Sequence, residues 1–579
     1  MYKIFYSWLF YFMLAHFGLL IYLLWANIKH LWQEIKKIDK KIWLILLIIF
    51  LFGFYLRNSE YWLGLTTDGY VYQTSAQLWL LHGNYVKSCA LGNQIDCRLF
   101  EQVLAPPGYP FIIALVHLIF GIHSLNASVI SAILSSLTIL LAFLIAYLLW
   151  GREEIGLYSA LIFSLIPLNI LYSQTGEARP TGLFFVGLTV LFYLLALKNN
   201  KFITWLLTIV SLSYAIYVRQ ESYILLPLLF IFFTILKWKD IKIFFVNIIK
   251  KKEENLKLIF KIIFLFLVFL GLQIPVLKWL LINNPFSTYP GGGFFTLHYK
   301  VFKIHSELIF RQLFNQSPME PIFHYNIIIS AIFLIAALFL IISRKKNHLF
   351  IVCLFLAYFV LYSFLLFNGN LDAAHQRITG DYIRRTVMLH LPYAVIAGYG
   401  VYLLNPIKKR KFLLLALIPL WFSIFIVRPP FVFDFMRQSR WYQSYFYKTE
   451  NYSFYFPKSI FKDSRATKKG VSTNSYFAAI EKTPNDCLII AGMYFPAISD
   501  YFENNRRKIA SIDLINPDTK DLFLDEFKKN KCLIYFGDYR CGPDFKSSDD
   551  YSCQFLDEHL NKTFLFREKT MEIYKVELK

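Results

Sequence analysis

The chain has 579 residues, of which 57% are hydrophobic and 19% aromatic, and its formal net charge is +22. This composition excludes an ordinary soluble domain, which is nearer half apolar and lacks repeated apolar runs of about 20 residues. The charge does not indicate nucleic-acid binding, because the basic residues cluster in short segments between apolar runs, the positive-inside pattern. We therefore expect a multi-pass protein of the cell membrane, with no nucleic-acid partner, whose basic segments touch anionic lipid headgroups.

The first apolar run, residues 1–26, is too long for a signal peptide and is followed by no small-residue cleavage site. We interpret it as a retained membrane helix that forms, with the next basic segment, an extra unit over 1–41. Counting crossings from a cytoplasmic segment 27–41 predicts about 12 spanning helices. The predicted spans are 1–26, 42–56, 126–149, 155–174, 182–197, 202–217, 221–236, 258–280, 325–343, 348–367, 386–404 and 412–427.

The apolar piece 108–120 follows two prolines and would be only about 20 Å long as a helix. The charge pattern leaves room for two crossings between 107 and 174, and the pieces 126–149 and 155–174 supply them. We therefore predict that 108–120 is an interfacial or re-entrant helix.

The same count places the loops 58–106, 281–323 and 368–385 outside the cell, together with everything after 428. In this last region, strand-like runs at 487–492, 508–513 and 532–537 alternate with helical stretches at 496–505 and 518–530. Two further short runs, 563–567 and 571–578, end the chain. Such alternation predicts an α/β domain with a partly parallel sheet. The predicted fold is mainly α: a polytopic helical bundle over 42–427, followed by an extracytoplasmic α/β domain over 428–579.

Two close cysteine pairs lie in segments assigned to the outside. Cys89 and Cys97 flank part of the first loop, and Cys541 and Cys553 flank a segment near the end of the chain. We predict a disulfide in each pair, as in an oxidising compartment. The alternative is that all four are free thiols.

The outer loops carry a set of acids and arginines. Asp68 stands in Thr67-Asp68-Gly69-Tyr70, just outside the predicted span that ends at Arg57. A carboxylate beside arginines suits a reaction in which an acid serves as base next to a phosphate, because the guanidinium fork matches phosphate oxygens. The other members of the set are Glu177, Arg179, Arg219, Glu221, His375, Arg377, Arg384 and Arg385.

Each of these residues also has a plain structural interpretation. Asp68 is a favourable N-cap for a helix that begins near Tyr70. Glu177 and Arg179 are typical of the end of a span, and the pair 384–385 is typical of snorkelling anchors. The histidines have no metal-ligand spacing and are typical of surface residues.

In order and spacing, the motifs resemble those of the GT-C superfamily of integral-membrane glycosyltransferases. The branch they resemble is that of the protein O-mannosyltransferases and the lipid A aminoarabinose transferase. The likeness covers roughly 42–430, with two departures: Gly69 stands where the family often has a second acid, and no Trp-Trp-Asp-Tyr-Gly signature occurs. The motifs are Leu56-Arg57, Asp68, Ala105-Pro106-Pro107-Gly108-Tyr109-Pro110, Glu177, Tyr217-Val218-Arg219-Gln220-Glu221 and Asp381-Tyr382-Ile383-Arg384-Arg385.

This resemblance implies transfer of a sugar from a polyprenyl-phosphate donor to a protein, lipid or glycan acceptor on the outer face. Asp68 would be the general base, and Glu177 would position the acceptor or the sugar. No nucleotide-binding loop is required, and a divalent metal stays open without being indicated. The rival hypothesis is a transporter or lipid flippase, against which we find no repeat between the two halves of the membrane region. The residues implied in substrate binding are Arg57, Tyr109, Arg179, Arg219, Glu221, His375, Arg377, Arg384 and Arg385.

Overall fold

The structure is a computed structural model of the protein. It describes residues 2–57, 67–83, 85–92, 97–102, 106–122, 126–173, 175–237, 252–283, 299–314, 327–343, 345–364, 384–404, 479–480, 482–492, 508–537, 541, 550–568 and 571–579. The described part is mostly helical, which confirms the mainly α class. The predicted span 412–427 and the helical stretch 496–505 lie outside the described residues.

Fifteen α-helices of the described residues lie before residue 428. They are α1 (Tyr2–Ile35), α2 (Lys40–Arg57), α3 (Thr67–His82), α4 (Gly108–Phe120), α5 (Asn126–Trp150), α6 (Glu153–Ser164), α7 (Pro167–Ser173), α8 (Ala178–Asn199), α9 (Phe202–Val218), α10 (Leu225–Leu236), α11 (Lys252–Asn283), α12 (Tyr299–Phe314), α13 (Ile327–Ile342), α14 (Lys346–Phe364) and α15 (His390–Leu403). Short 3-10 turns at Gln220–Ile224 and Arg384–Leu389 precede α10 and α15.

Five helices of the described residues are long and apolar enough to cross a membrane. Further apolar helices of 10–17 residues accompany them, so the bundle is polytopic while the exact number of spans stays a prediction. The five long helices are Tyr6–Ile35, Asn126–Trp150, Ala178–Asn199, Phe260–Lys278 and Thr386–Leu403.

The segments predicted to be cytoplasmic gather at one end of the bundle. Glu34 accepts hydrogen bonds from Lys37 (2.9 Å) and Lys198 (2.7 Å). Glu153 accepts one from the backbone of Asp39 (2.8 Å). We call this the basic end of the bundle, formed by residues 30–41, 150–153 and 198–201. Most of the predicted basic loop 27–41 is in fact helical, because α1 continues to Ile35 and α2 begins at Lys40.

Two segments differ from their predicted form. The predicted span 155–174 is broken into α6 and α7 at Pro167, which has no N–H to donate to the preceding turn and is well suited to a first helical position. The predicted outer loop 281–323 contains the helix Tyr299–Phe314, whose apolar side packs against α14 through Phe302 and Phe364 (ring centroids 4.8 Å apart).

The short helix α4 lies across the start of α5. Near its beginning, Tyr109 donates a hydrogen bond from its hydroxyl to the carbonyl of Ala127 (2.7 Å). Near its end, the ring nitrogen Nδ1 of His117 lies 2.8 Å from the side-chain amide of Asn126. Both halves of α4 therefore touch the same turn of α5, and whether α4 is interfacial or re-entrant stays a prediction.

The C-terminal region forms a seven-stranded sheet with a strand pair contributed by the first loop. Its strands are β1 (Val86–Gly92), β2 (Cys97–Gln102), β3 (Leu488–Ala491), β4 (Lys508–Ser511), β5 (Leu533–Gly537), β6 (Leu560–Glu568) and β7 (Met571–Leu578), in the order β2-β1-β4-β3-β5-β7-β6. Strand β3 runs parallel to β4 and β5, as predicted. The prediction did not include β1 and β2, which extend this sheet beyond residues 428–579.

Two helices and two disulfides complete the described C-terminal region. Helix α16 (Lys520–Lys529) buries Phe523 and Phe527, and helix α17 (Tyr551–His559) was not predicted. The predicted disulfide between Cys541 and Cys553 is present. A second disulfide joins Cys487 and Cys532 at the starts of β3 and β5, which we did not predict. Cys89 is also disulfide-bonded, whereas the sulfur of its predicted partner Cys97 lies outside the described side chains.

Candidate active site

The start of α4 lies directly against the end of α9. A Cβ atom on Gly108 would stand 2.6 Å from the carbonyl oxygen of Tyr217, so this approach requires a residue without a side chain. Tyr214 also donates a hydrogen bond from its hydroxyl to the Gly108 carbonyl (3.2 Å). The glycine of the motif 106–110 therefore places the first loop beside the turn that follows α9, where Arg219 lies.

Tyr109, predicted to bind substrate, is fully buried and serves as a structural anchor. Its hydroxyl is used in the hydrogen bond to Ala127. Its ring meets that of Tyr72 edge to face, with centroids 5.3 Å apart and planes at 76°, a favourable aromatic geometry. Tyr109 thus joins α4 to α5 and to α3.

Asp68 is the second residue of α3 and precedes Tyr72 by four residues. Residues four apart lie on one face of a helix, so the positions of Asp68 and Tyr72 share a face of α3. Tyr72 lies within electrostatic range of Arg219. The side chain of Asp68 lies outside the described part of the structure, but its position is one helical turn from Tyr72.

Two carboxylate–arginine pairs occupy this end of the bundle. Glu177, at the residue before α8, forms an ion pair with Arg179, and both side chains are almost completely buried. Arg219 forms an ion pair with Glu221 and donates a hydrogen bond from Nε to its Oε2 (3.1 Å). Charges so far from water are costly unless they are paired. In each of these two pairs, the charge of the carboxylate neutralises that of the guanidinium group.

The two pairs are neighbours because Gly182 leaves room for Arg219. A Cβ atom on Gly182 would lie 2.5 Å from Cγ of Arg219 and 2.7 Å from Cε of Met388. The side chain of Arg219 therefore lies over the first turn of α8, which also carries Arg179. The absence of a side chain at Gly182 positions this guanidinium.

Two buried tyrosines from α14 join the same group. Tyr358 and Tyr362 are almost completely buried, with ring centroids 6.2 Å apart. Tyr362 lies within electrostatic range of Glu221, Arg219 and Arg179. Sequence reasoning missed both tyrosines, because they stand one helical turn apart in an apolar run that is typical of core packing.

The backbone of the predicted arginines 384 and 385 belongs to a turn that reaches the same region. Arg384 and Arg385 begin the 3-10 turn that leads into α15, and Met388 of that turn touches the position of Gly182. The side chains of both arginines lie outside the described part of the structure. His375 and Arg377 lie outside the described residues altogether.

Arg57, also predicted to bind substrate, has a different role. Its guanidinium donates to the carbonyls of Gly53, Phe163 and Ser164 and to the side chains of Ser135 and Asn169, at 2.8–3.1 Å. An arginine has five N–H donors, and these five acceptors use all of them. Arg57 therefore has no N–H left for a phosphate. It satisfies the terminal carbonyls of α6, where a cation is favourable.

The described residues include no group of three or more histidine, cysteine, aspartate or glutamate side chains that could hold a metal ion. The described side chains at this end of the bundle are paired carboxylates, guanidinium groups and tyrosine hydroxyls.

Comparison with known proteins agrees with the sequence motifs. Residues 105–279 match the family described as dolichyl-phosphate-mannose-protein mannosyltransferase. The chain is 29% identical over 178 residues to the undecaprenyl phosphate-alpha-4-amino-4-deoxy-L-arabinose arabinosyl transferase of Pseudomonas aeruginosa (strain UCBPP-PA14), covering 29% of this chain and 30% of that protein. It is 31% identical over 157 residues to the protein of the same name from Pseudomonas paraeruginosa (strain DSM 24068 / PA7), covering 26% of each. The matched part thus spans less than a third of these relatives.

The fold extends the likeness over the whole chain. The crystal structure of ArnT from Cupriavidus metallidurans in the apo state superimposes with a TM-score of 0.54 at 11% identity, covering 92% of this chain and 97% of that one. The structure of the same protein bound to undecaprenyl phosphate gives a TM-score of 0.54 at 10% identity, covering 93% and 98%. The sequence matches and this shared fold agree with the resemblance of the motifs: the chain is similar over 105–279 to the matched family, and its fold is similar to that of ArnT.

Proposed function

We propose that this protein transfers a sugar from a polyprenyl-phosphate-linked donor to an acceptor hydroxyl on the extracytoplasmic face of the membrane. The observation that carries the proposal is that α3, which carries Asp68 and Tyr72, packs on Tyr109 of α4, and that Gly108 of α4 lies against the end of α9, just before Arg219. This end of the bundle lies opposite the basic end. Arg179 lies on the first turn of the helix against which Arg219 packs. A base and two guanidinium groups at a membrane rim suit a substrate whose tail lies in lipid and whose phosphate lies at the surface.

The names of the related proteins support this donor class. The matched family is described by a dolichyl-phosphate donor, the curated relatives by an undecaprenyl-phosphate donor, and one superimposed structure contains undecaprenyl phosphate. In each the sugar carrier is a long isoprenoid phosphate. The same class of donor suits this chain, whose candidate site has guanidinium groups to meet a phosphate.

In the proposed reaction, Asp68 accepts the proton of the acceptor hydroxyl, whose oxygen attacks the anomeric carbon of the sugar. The bond from that carbon to the phosphate oxygen breaks, and its electron pair leaves with the polyprenyl phosphate. Arg219 and Arg179 stabilise the charge that develops on the leaving phosphate. Arg384 and Arg385, which begin the 3-10 turn whose Met388 lies against Gly182, are placed to add to this stabilisation.

Glu221 and Glu177 keep the two guanidinium groups oriented before the donor arrives. A preformed orientation reduces the reorganisation that the reaction requires. Glu177 is also the predicted residue for positioning the acceptor or the sugar. Tyr362, beside both arginines, offers a hydroxyl to the same region.

The extracytoplasmic assignment has two supports. The first loop and the C-terminal domain share one sheet, so both lie on the same side of the bundle. That domain contains the disulfides Cys487–Cys532 and Cys541–Cys553, which are typical of an oxidising compartment. The basic end, by contrast, carries the lysines that the positive-inside pattern places in the cytoplasm.

The test is turnover by the purified full-length protein in liposomes that contain labelled polyprenyl-phosphate sugars and membrane extract as acceptor source. We expect labelled product from the wild type and none from Asp68→Asn, which keeps the size of the side chain and removes the base. As a control, Asp518→Asn changes an exposed acid of the C-terminal domain and should leave turnover unchanged.

Normal turnover by Asp68→Asn would remove this residue from the mechanism. Movement of the labelled lipid across the bilayer without consumption of its sugar would instead support a transporter or flippase.

A further inference from the structure

The first loop and the C-terminal domain are joined by an ion pair. Arg98 on β2 pairs with Glu526 on α16. The Glu526 side chain is only 4% exposed, whereas that of Arg98 is 35% exposed. A buried carboxylate needs a partner. This contact therefore fixes the hairpin formed by β1 and β2 to the C-terminal domain more firmly than an exposed pair would.

A short polar network extends this contact into the sheet. The Glu526 carboxylate also accepts a hydrogen bond from Nδ2 of Asn530 (2.9 Å). The side-chain oxygen of Asn530 accepts one from Nζ of Lys508 on β4 (2.9 Å). Because β4 also pairs with β1 through Leu91 and Gly92, both strands of the hairpin are held by the C-terminal domain.

The hairpin is in turn fastened to the helix that carries Asp68. Tyr85, between α3 and β1, packs on Trp79 of α3 with ring centroids 4.9 Å apart. Its hydroxyl donates a hydrogen bond to the carbonyl of Pro106 (3.3 Å), which closes the base of the hairpin against the start of α4. Helix α3 has 16 residues and is therefore about 24 Å long. A change in the position of the C-terminal end of α3 therefore also moves its N-terminal end, where Asp68 lies.

We propose that Arg98 and Glu526 are positioning residues for sugar transfer: their ion pair holds the hairpin, and through it α3, so that Asp68 stands at the reacting hydroxyl. The inference rests on the proposed function. Arg98 touches neither substrate nor reacting atoms. A displacement of about 1 Å at a catalytic group lowers turnover up to about a hundredfold, so small changes in the seating of the hairpin have large effects.

The test compares Arg98→Met with Arg98→Lys in the full-length protein. Methionine keeps an unbranched apolar stem and removes the charge, whereas lysine keeps the charge. We expect Arg98→Met to lower kcat about tenfold or more with KM for the labelled polyprenyl-phosphate sugar unchanged. Arg98→Lys should retain most of the wild-type kcat. The matched control is Arg567→Met, which breaks the ion pair between Arg567 on β6 and Glu572 on β7. These strands lie at the edge of the sheet opposite β2, so kcat should be unchanged.

A second readout does not depend on the reaction. Hydrogen exchange of the amides in 67–82 should be faster in Arg98→Met than in the wild type and near the wild-type rate in Arg98→Lys. Equal exchange in all three proteins, or an equal loss of kcat in the Arg567→Met control, would overturn the inference. A wild-type protein that never turns over labelled donors would overturn the proposed function, and the exchange rates would still decide whether the ion pair holds α3.

Discussion

Arg57 donates a hydrogen bond to the backbone carbonyl of Ser164 at 3.0 Å and so joins the end of α2 to the end of α6. The neighbouring carbonyl of Phe163 accepts a second one (3.1 Å). These carbonyls have no partner within α6, because Pro167 ends the helical hydrogen-bond pattern just beyond them. The buried guanidinium group of Arg57 on α2 therefore supplies donors to carbonyls at the end of α6.

Arg57→Met should destabilise the membrane domain, because it leaves the buried carbonyl of Ser164 without a donor. The carbonyl of Phe163 keeps a hydrogen bond from the backbone N–H of Ile166 (3.4 Å). The expected loss is roughly 1–3 kcal/mol for one unsatisfied group. Thermal unfolding in detergent measures it, and Arg57→Lys, which keeps the charge and some of the bonds, should lose less. The folded fraction of Arg57→Met should bind polyprenyl phosphate as the wild type does. A large loss of binding without a loss of stability would restore Arg57 to the substrate site.

Gly108→Ala should separate the first loop from the turn after α9. The added methyl group would stand 2.6 Å from the carbonyl of Tyr217, so α4 must move, at a cost of about 1–3 kcal/mol. We expect a lower unfolding temperature together with a lower kcat, since Asp68 and Arg219 lie on the two sides of this contact. The control is Gly271→Ala in α11, where the added methyl group meets nothing within 4 Å. Equal stability of the two variants would show that the contact at Gly108 is not tight.

Gly182→Ala should weaken donor binding without removing any charged group. A methyl group there would lie 2.5 Å from Cγ of Arg219, so the guanidinium must leave its place over the first turn of α8. We expect the Kd for polyprenyl phosphate to rise about tenfold, equivalent to about 1.4 kcal/mol. Arg219→Lys should raise it similarly, because lysine cannot reproduce the planar fork. Binding that Gly182→Ala leaves unchanged while Arg219→Lys weakens it would mean that the guanidinium does not depend on this glycine.

Sequence patterns predicted those elements whose signal is local. The span 126–149 matches the helix Asn126–Trp150 almost to the residue, since an apolar run between polar loops defines it. The strand 532–537 matches Leu533–Gly537 for the same reason. The pairing of Arg219 with Glu221 could also be foreseen, because the two residues stand two positions apart in an outer turn.

The features that escaped prediction depend on contacts between distant segments. Strand β1 joins β4 through Leu91 and Ala510, a pairing across most of the chain that no local pattern indicates. Arg57 looked like a rim arginine, because its position at the end of an apolar run is the same whether it faces a ligand or a neighbouring helix. Tyr362 carries no spacing signal, and only the packing of α14 places it beside Arg219.

Alkylation of the protein denatured in detergent without reductant should label Cys353 and leave the disulfide-bonded cysteines unlabelled. Cys353 is free and partly exposed, whereas Cys89, Cys541 and Cys553 are disulfide-bonded. Mass spectrometry of the unreduced digest should then find Cys89 linked to Cys97, as the first-loop spacing predicts. Alkylation of Cys541 and Cys553 in the native protein would contradict the oxidising-side assignment. Full reduction before alkylation is the control that shows every cysteine can be labelled.

The contact between the hairpin and the C-terminal domain should weaken in acid. Burial raises the pKa of Glu526, but hydrogen bonds from Asn530 and Arg98 and the charges of Arg98 and Lys508 outweigh it and hold that pKa below its ordinary value of 4.5. A carboxyl with a lowered pKa in the folded state contributes stability above pH 4.5, and this contribution is lost as the pH falls through the lowered value. The protection factors of the amides in 86–102, which correct the exchange rate for its intrinsic slowing in acid, should therefore fall below about pH 4.5 in the wild type.

Glu526→Gln removes the titrating group, so the hairpin of that variant should exchange faster already at neutral pH and show a smaller change in acid. Glu577→Gln is the control, because Glu577 lies on the same sheet with an exposed side chain and makes no contact with the hairpin in the described part of the structure. It should reproduce the wild-type acid response. If Glu526→Gln retained the full acid response, the group that titrates would be another one, and the ion pair of Glu526 with Arg98 would not account for the seating of the hairpin.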